Sequence, residues 1–420
     1  MREMKDSGIE WIGNIPKNWS ICPIGCEFQE VLDKNLFLRE KKSLKFTFGN
    51  IVDKKDFNEN IDDYVEKTIR NYTVVKPGDI VLNGLNLNFD FVTLRIGQVK
   101  SKGLITSAYT SFRIIDSTKL SSDFVTYLFK SYDSCKAFHN MGGGVRKILN
   151  FSELKKNYFI FPSLQEQRKI ADFLDEKCSE IDALTADIQT QIETLEEYKK
   201  SVITEAVTKG LDPNVELKDS GVEWIGKIPA DWDVFKGKYV LKYLQKPVKQ
   251  EDDVITCFRD GEVTLRKNRR EDGFTMSDKE IGYQGVDVGD LVVHGMDGFA
   301  GAIGISDSRG KASPVLNVLD SSMVKKFIMY YLRSMAYGNV FTAIATGIRV
   351  RSCDLRWNKL ANLPYPVPPF EEQRQIADFL DQKCSEIDQT IYEKQQQLET
   401  LAEYKKSLIY EYVTGKKEVA

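Results

Sequence analysis

Between Pro162 and Gly210 the chain shows one uninterrupted pattern. Apolar side chains return every seventh residue at Leu174, Ile181, Ile188, Leu195 and Val202, and a second ladder follows at Cys178, Thr185, Ile192, Lys199 and Ala206. A seven-residue return with charged residues between is the signature of a helix with an apolar seam. Ser163 followed by Glu166 forms a capping box behind Pro162, and Gly210 supplies the stop. The pattern predicts one helix of roughly 44 residues, about 66 Å long at 1.5 Å per residue. That is too long for the interior of one ordinary domain, so the seam requires a partner.

The partner lies in the same chain. Residues 372–388 (EQRQIADFLDQKCSEID) match residues 166–182 at 15 of 17 positions. The second copy carries its own seam: Leu380, Cys384, Ile387, Ile391, Leu398, Leu401 and Leu408, interrupted by Lys394 and Lys405. Two such helices most simply pack on each other as a coiled coil. The opening stretch also returns, since residues 219–232 (DSGVEWIGKIPADW) match residues 6–19 (DSGIEWIGNIPKNW) at 10 of 14 positions. The chain is therefore a tandem of one unit: opening motif, globular insert, long helix. The sequence divides into residues 1–160, a spacer helix at 161–210, residues 211–366, and a second spacer helix at 367–420. The inserts share little beyond weak echoes: KPGDIVL at 76–82 against DVGDLVV at 287–293, and Gly144-Val145-Arg146 against Gly347-Ile348-Arg349. Gly/Asp turns between short apolar runs, with helices expected over 121–138 and 320–337, predict an α+β class with pseudo-two-fold repetition. The C-terminus ends where the first copy's linker begins, which predicts that it lies beside the N-terminus.

Composition narrows the function. With 42% hydrophobic and 29% charged residues, no apolar run of membrane-spanning length and no apolar leader after Met1, the expected setting is cytoplasmic, without a membrane partner. Seven scattered cysteines suit a reducing compartment, and Cys22 and Cys26 have neither a second pair nor nearby histidines to make a zinc site. The net charge of −3 conceals a segregation: residues 164–209 carry 6 basic and 11 acidic side chains, residues 371–414 carry 5 and 10, and the remainder is net +7. Acidic rods with basic inserts suit a protein that meets a polyanion through its inserts.

No catalytic constellation emerges and no metal site is expected. There is no phosphate-binding Gly-rich loop with Lys. Val367-Pro368-Pro369-Phe370 lacks the Asn of an amino-methyltransferase motif and opens a helix. Asp212 with Glu216 and Lys218 spans too few residues for a nuclease, and His139 and His294 occupy unmatched settings. Basic clusters are the better candidates for DNA contact: Arg95, Lys100 and Lys102; Arg146 and Lys147 after Gly142-Gly143-Gly144; Arg266, Lys267, Arg269 and Arg270; and Arg349 and Arg351 after Gly347. Glycine lets backbone approach a phosphate closely, and Arg reads guanine edges.

Together, the doubled DSG-x-EWIG-x-IP-x-x-W opening and the doubled P-x-x-EQR-x-IA-x-FLD-x-K-x-x-x-ID helix resemble the specificity subunits of type I restriction-modification systems, over the full chain. The resemblance implies a non-catalytic subunit whose two inserts each read half of a split site in double-stranded DNA, while the two helices pair as an antiparallel coiled coil and set the spacing. It further implies docking of two methyltransferase subunits, which would bring the S-adenosylmethionine that this chain does not bind, and of a restriction/translocase subunit. A coiled-coil adaptor that binds only proteins, or a stand-alone enzyme, are the alternatives.

Overall fold

The computed structural model describes residues 2–54, 63–144, 147–269, 281–344 and 355–419. Two compact units comprise residues 1–188 with 396–420, and residues 189–395. The chain is α+β, and both predicted long helices are present, at Leu164–Lys209 and Phe370–Val413. The cut between units passes through both helices. Each unit thus holds one insert, the start of one long helix and the end of the other, and it does not follow the sequence divisions at 160, 210 and 366.

In the first unit, Met4–Asp6 pairs with Asn14–Pro16 across the repeated opening. The Asp6 carboxylate accepts from the Gly8 N–H at 2.9 Å, and Gly8 takes φ +68, which explains the Asp-Ser-Gly triplet. The turn delivers Ile9, Ile12, Ile15 and Trp19 into the core. A four-stranded antiparallel sheet follows in the order Phe28–Glu30, Thr110–Ile114, Ile80–Leu82, Ile96–Gln98. The hairpin Leu44–Thr47 with Asn50–Asp53 and the pair Thr73–Val75 with Gly103–Ile105 flank it. Helix Ser122–Ser134 buries Phe124, Leu128 and Phe129 beneath the sheet. It stops short of 138 because Lys136 takes left-handed backbone, φ +58, before a separate turn at Ala137–Met141. Tyr158–Phe161 returns against Ser20–Pro23 and feeds directly into the long helix.

Among the described residues the second unit repeats every pairing. Leu217–Asp219 pairs with Lys227–Pro229, and Asp233–Lys236 with Pro364–Val367. Its sheet runs Leu241–Tyr243, Leu316–Ser321, Leu291–His294, Ile303–Ile305, and its helix is Lys325–Tyr337. That helix begins later than 320 because Leu316–Ser321 is needed as the central strand.

The apolar seams are used in two ways. In the first unit Ile170, Ala171, Leu174 and Ile181 of one long helix join Leu408 and Val413 of the other in a single core with the insert. In the second, Ile376, Leu380 and Cys384 join Ile203, Ala206 and Val207. Cys178, Ile188, Ile192 and Ile387 are also buried, while Leu195, Ile391, Leu398 and Leu401 are half-buried. Val202 is only half-buried beside fully buried Ile203, because a 3.6-residue helix drifts off a strict seven-residue count. The C-terminus does lie against the N-terminus: Arg2 pairs with Glu418 at 2.7 Å, and Lys416 Nζ donates to the Ile12 carbonyl at 2.7 Å.

Candidate nucleic-acid interface

The repeated helix motif is a mounting bracket. The side chain of Gln167 is wholly buried. Its Oε1 accepts from the Ser121 N–H at 2.8 Å, and its Nε2 donates to the Lys119 and Pro162 carbonyls, each at 2.9 Å. Gln373 does the same with the Val324 N–H and the Pro368 carbonyl. The preceding glutamates receive the indole N–H of the opening motif, Trp19 to Glu166 at 3.4 Å and Trp232 to Glu372 at 2.9 Å. Asp175 and Asp381 accept from the hydroxyls of Tyr127 and Tyr330 at 2.7 and 2.8 Å. Each insert is thereby fixed to its helix start by backbone, indole and phenol bonds, a rigid mount for whatever the insert reads.

The two insert echoes are turns of one construction. Asp79 caps its own turn by accepting from the Lys76 N–H at 2.8 Å and takes a two-pronged bond from Arg113 at 2.9 and 2.8 Å. Asp290 accepts from the Asp287 N–H at 2.8 Å and pairs with Lys246. Around it, Arg309 joins Asp252 at 2.8 Å and Asp287 at 2.5 Å. Bonds from Lys246 and then Arg309 hold the Asp287 carboxyl down at about 2. The Gly-Asp spacing signalled these turns; their cationic partners, from distant strands, had no local signal.

The basic candidates separate into three groups. Arg95 is 2% exposed, and its guanidinium donates to the Leu85 and Asp90 carbonyls at 2.7 and 3.0 Å. It therefore does not face a ligand, and it organises the loop 83–95 from within. A buried Arg inside a basic stretch looks the same in sequence as an exposed one. Lys100, Lys102 and Lys147 are exposed, the first two reaching Asp123 and Glu40. In the second unit Arg266 donates to Thr256 at 3.3 Å, Lys267 pairs with Asp253, and Arg269 pairs with Asp260 and Glu262 while lying over the Phe258 ring at 4.3 Å. Acidic neighbours relieve the self-repulsion of this cluster. Arg146, Arg270, Arg349 and Arg351 lie outside the described residues.

Residues 40–194 match the model of the type I restriction modification DNA specificity domain. The chain is 24% identical over 434 aligned positions to the MjaX type I restriction enzyme specificity subunit of Methanocaldococcus jannaschii, covering 96% of this chain and 95% of that one. The MjaVIII specificity subunit of the same organism is 25% identical, with 96% and 93% covered. Over nearly its whole length the chain is similar to specificity subunits of type I restriction-modification systems, and residues 40–194 match their DNA specificity domain. Its fold agrees. A chain of a type I R-M system, solved in work on complex assembly and conformational transition, superimposes with a TM-score of 0.71 at 14% identity, covering 96% of this chain and 99% of that one. The HsdS subunit from Thermoanaerobacter tengcongensis gives 0.52 at 15%, covering 96% and 98%. Specificity subunits recognise DNA sequence and are the non-catalytic components of their complexes. Among the described residues no group of three or more His, Cys, Asp or Glu could hold a metal, and no helix is long and apolar enough to cross a membrane.

Proposed function

We propose that this specificity subunit reads a bipartite, asymmetric site in double-stranded DNA, one half per insert, with the long helices fixing the distance between the halves. Each helix start docks one methyltransferase subunit carrying S-adenosylmethionine, and a restriction/translocase subunit completes the cytoplasmic complex. One observation carries the reading. The bracket accounts for the buried identities of the repeated motif, yet Arg168 and Arg374, Asp172 and Asp378, Ser179 and Ser385, and Glu180 and Glu386 are also identical and all exposed. In units whose inserts have diverged, identical exposed faces are explained by identical partners, and unlike inserts by unlike halves of the target.

The test removes one heptad from each helix, residues 185–191 and 391–397, and maps methylation by the reconstituted complex. Seven residues of helix span about 10 Å, close to 3 base pairs at 3.4 Å each. Both half-sites should persist at shortened spacing. Methylation at the original spacing would refute the helices as the ruler.

A further inference from the structure

Equivalent places in the two units have the same framework and opposite chemistry. In the first unit the hairpin Leu44–Thr47 and Asn50–Asp53 turns at Phe48-Gly49, with φ +46 and +77. Both central residues of such a turn need positive φ, so Asn-Gly is its usual occupant. Phe here is strained, and its side chain is 70% exposed. The turn abuts the loop between strands Ile80–Leu82 and Ile96–Gln98, where a Cβ on Gly49 would lie 2.8 Å from that of Leu94. This loop holds Phe89 and Val92, 79% and 88% exposed. The loop is nonetheless tightly built. Arg95 clamps it from inside, the Asp90 carboxylate accepts from the Val92 and Thr93 N–H groups at 3.0 Å, and Phe91 stacks on His139 at 4.7 Å. Rigid backbone presenting apolar side chains to water contributes nothing to the fold and lowers the ordering cost of binding.

In the second unit the corresponding turn holds Asp260-Gly261, and the corresponding loop, between Leu291–His294 and Ile303–Ile305, approaches it so closely that a Cβ on Gly301 would lie 2.7 Å from the Arg259 carbonyl. Here the exposed turn residue is charged: Arg259 pairs with Asp297 at 2.9 Å, and Met296 is the large apolar side chain that this loop exposes.

We infer that the turn 48–49 and the loop 86–93 form the base-reading surface of the first half-site, acting by apolar contact of Phe48, Phe89 and Val92 with thymine methyl groups and base faces, and that the matching surface of the second unit reads the other half through Arg259. The inference deepens the bipartite reading above and rests on it. Duplex DNA is the partner because the loop lies within the matched DNA specificity domain. It also varies in length and character between two units that otherwise share their strands, as a surface reading different half-sites must. Apolar side chains read the thymine methyl in the major groove or wedge between base steps, and exposed Lys147 adjoins the loop, its carbonyl accepting from the Leu87 N–H at 3.1 Å.

The experiment selects randomised duplexes with the full-length chain in complex with its methyltransferase subunits. The wild-type chain should yield a two-part motif. Phe89→Ala with Val92→Ala should erase one half, lowering affinity for the wild-type site on the order of 10- to 100-fold, while the other half persists. Because no charge is lost, the slope of log affinity against log salt should not change. Arg259→Ala should erase the opposite half, lowering affinity on the order of 10- to 100-fold. Retention of both halves by Phe89→Ala/Val92→Ala, loss of both together, or release of the methyltransferase subunit would each overturn the inference. A wild-type chain that selects no two-part motif would instead overturn the bipartite reading.

Discussion

Substituting Gln167 by Leu keeps the volume of a wholly buried side chain and removes all of its hydrogen bonds. Three backbone groups lose their partner: the Ser121 N–H and the carbonyls of Lys119 and Pro162. At about 0.5–1.5 kcal/mol for each such bond, more where the stranded group is buried, the cost is about 2–4 kcal/mol. Gln373→Leu strands only the Val324 N–H and the Pro368 carbonyl, so its cost should be about 1–3 kcal/mol. A two-unit chain need not unfold in one step, so a single denaturation midpoint is the wrong readout. Hydrogen exchange of the intact chain gives opening free energies segment by segment. In Gln167→Leu the segments 116–124 and 163–172 should open more easily by the stated amount, with residues 320–330 and 368–378 unaffected; Gln373→Leu should reverse the pattern. A change below about 0.5 kcal/mol around residue 167, or a larger effect at 373, would refute the bracket.

Two other perturbations follow from the same contacts. Arg95→Met should free the loop 83–95, destabilising the first unit by about 2–4 kcal/mol and erasing one half-site in the duplex selection; Arg95→Lys should not restore it, since one ammonium cannot reproduce the fork, and a stable Arg95→Met chain with an unchanged motif would contradict the clamp. Asp287 and Asp252 have folded pKa values below their ordinary 3.8, so they bind protons less readily folded than unfolded. Their contribution is present above pH 4 and is lost as pH falls through 2; Asp287 is half-exposed, so Asp287→Asn should cost under about 1 kcal/mol at pH 5 and roughly a third as much at pH 2.5, as read from the second unit's own denaturant transition at the two pH values.

The repeat made the architecture legible because it is written in long-range identity, and long helices announce themselves through many turns of one period. The strands did not, since most span only three or four residues and carry too few positions to show alternation. The helix boundary at 134 depended on left-handed backbone at Lys136, and the one at 325 on the sheet's need for Leu316–Ser321, neither of which is local pattern. The candidate site was legible only as charge. Phe48, Phe89 and Val92 look like core residues in sequence, whereas Arg95 looks like a surface one; the fold reverses both. Exposure of an apolar side chain is set by the loop that carries it, and the clamp on this loop joins residues 83–95 to His139.

The polar interruptions of the seam complete the account of how the helices are held. Lys199 and Lys405 stand where the seven-residue count calls for apolar side chains, and either would weaken a seam that only needed burial. In the second unit Lys199 pairs with Asp388 at 2.6 Å; in the first, Lys405 pairs with Asp182 at 2.6 Å. The same Lys therefore meets the same Asp of the repeated motif in both units, and Phe173 lies against Tyr412 about two turns away from the second pair. Each ion pair is partly exposed and contributes at most about 1 kcal/mol. Their value is in register. A slip of one heptad would move each Lys off its Asp, towards Gln395 and Gln189 in one direction and towards Asp381 and Asp175, already engaged by Tyr330 and Tyr127, in the other, so the pairs favour the observed alignment. Under the proposed function, in which the helices set the distance between two reading surfaces, a fixed alignment is worth more than a tighter seam.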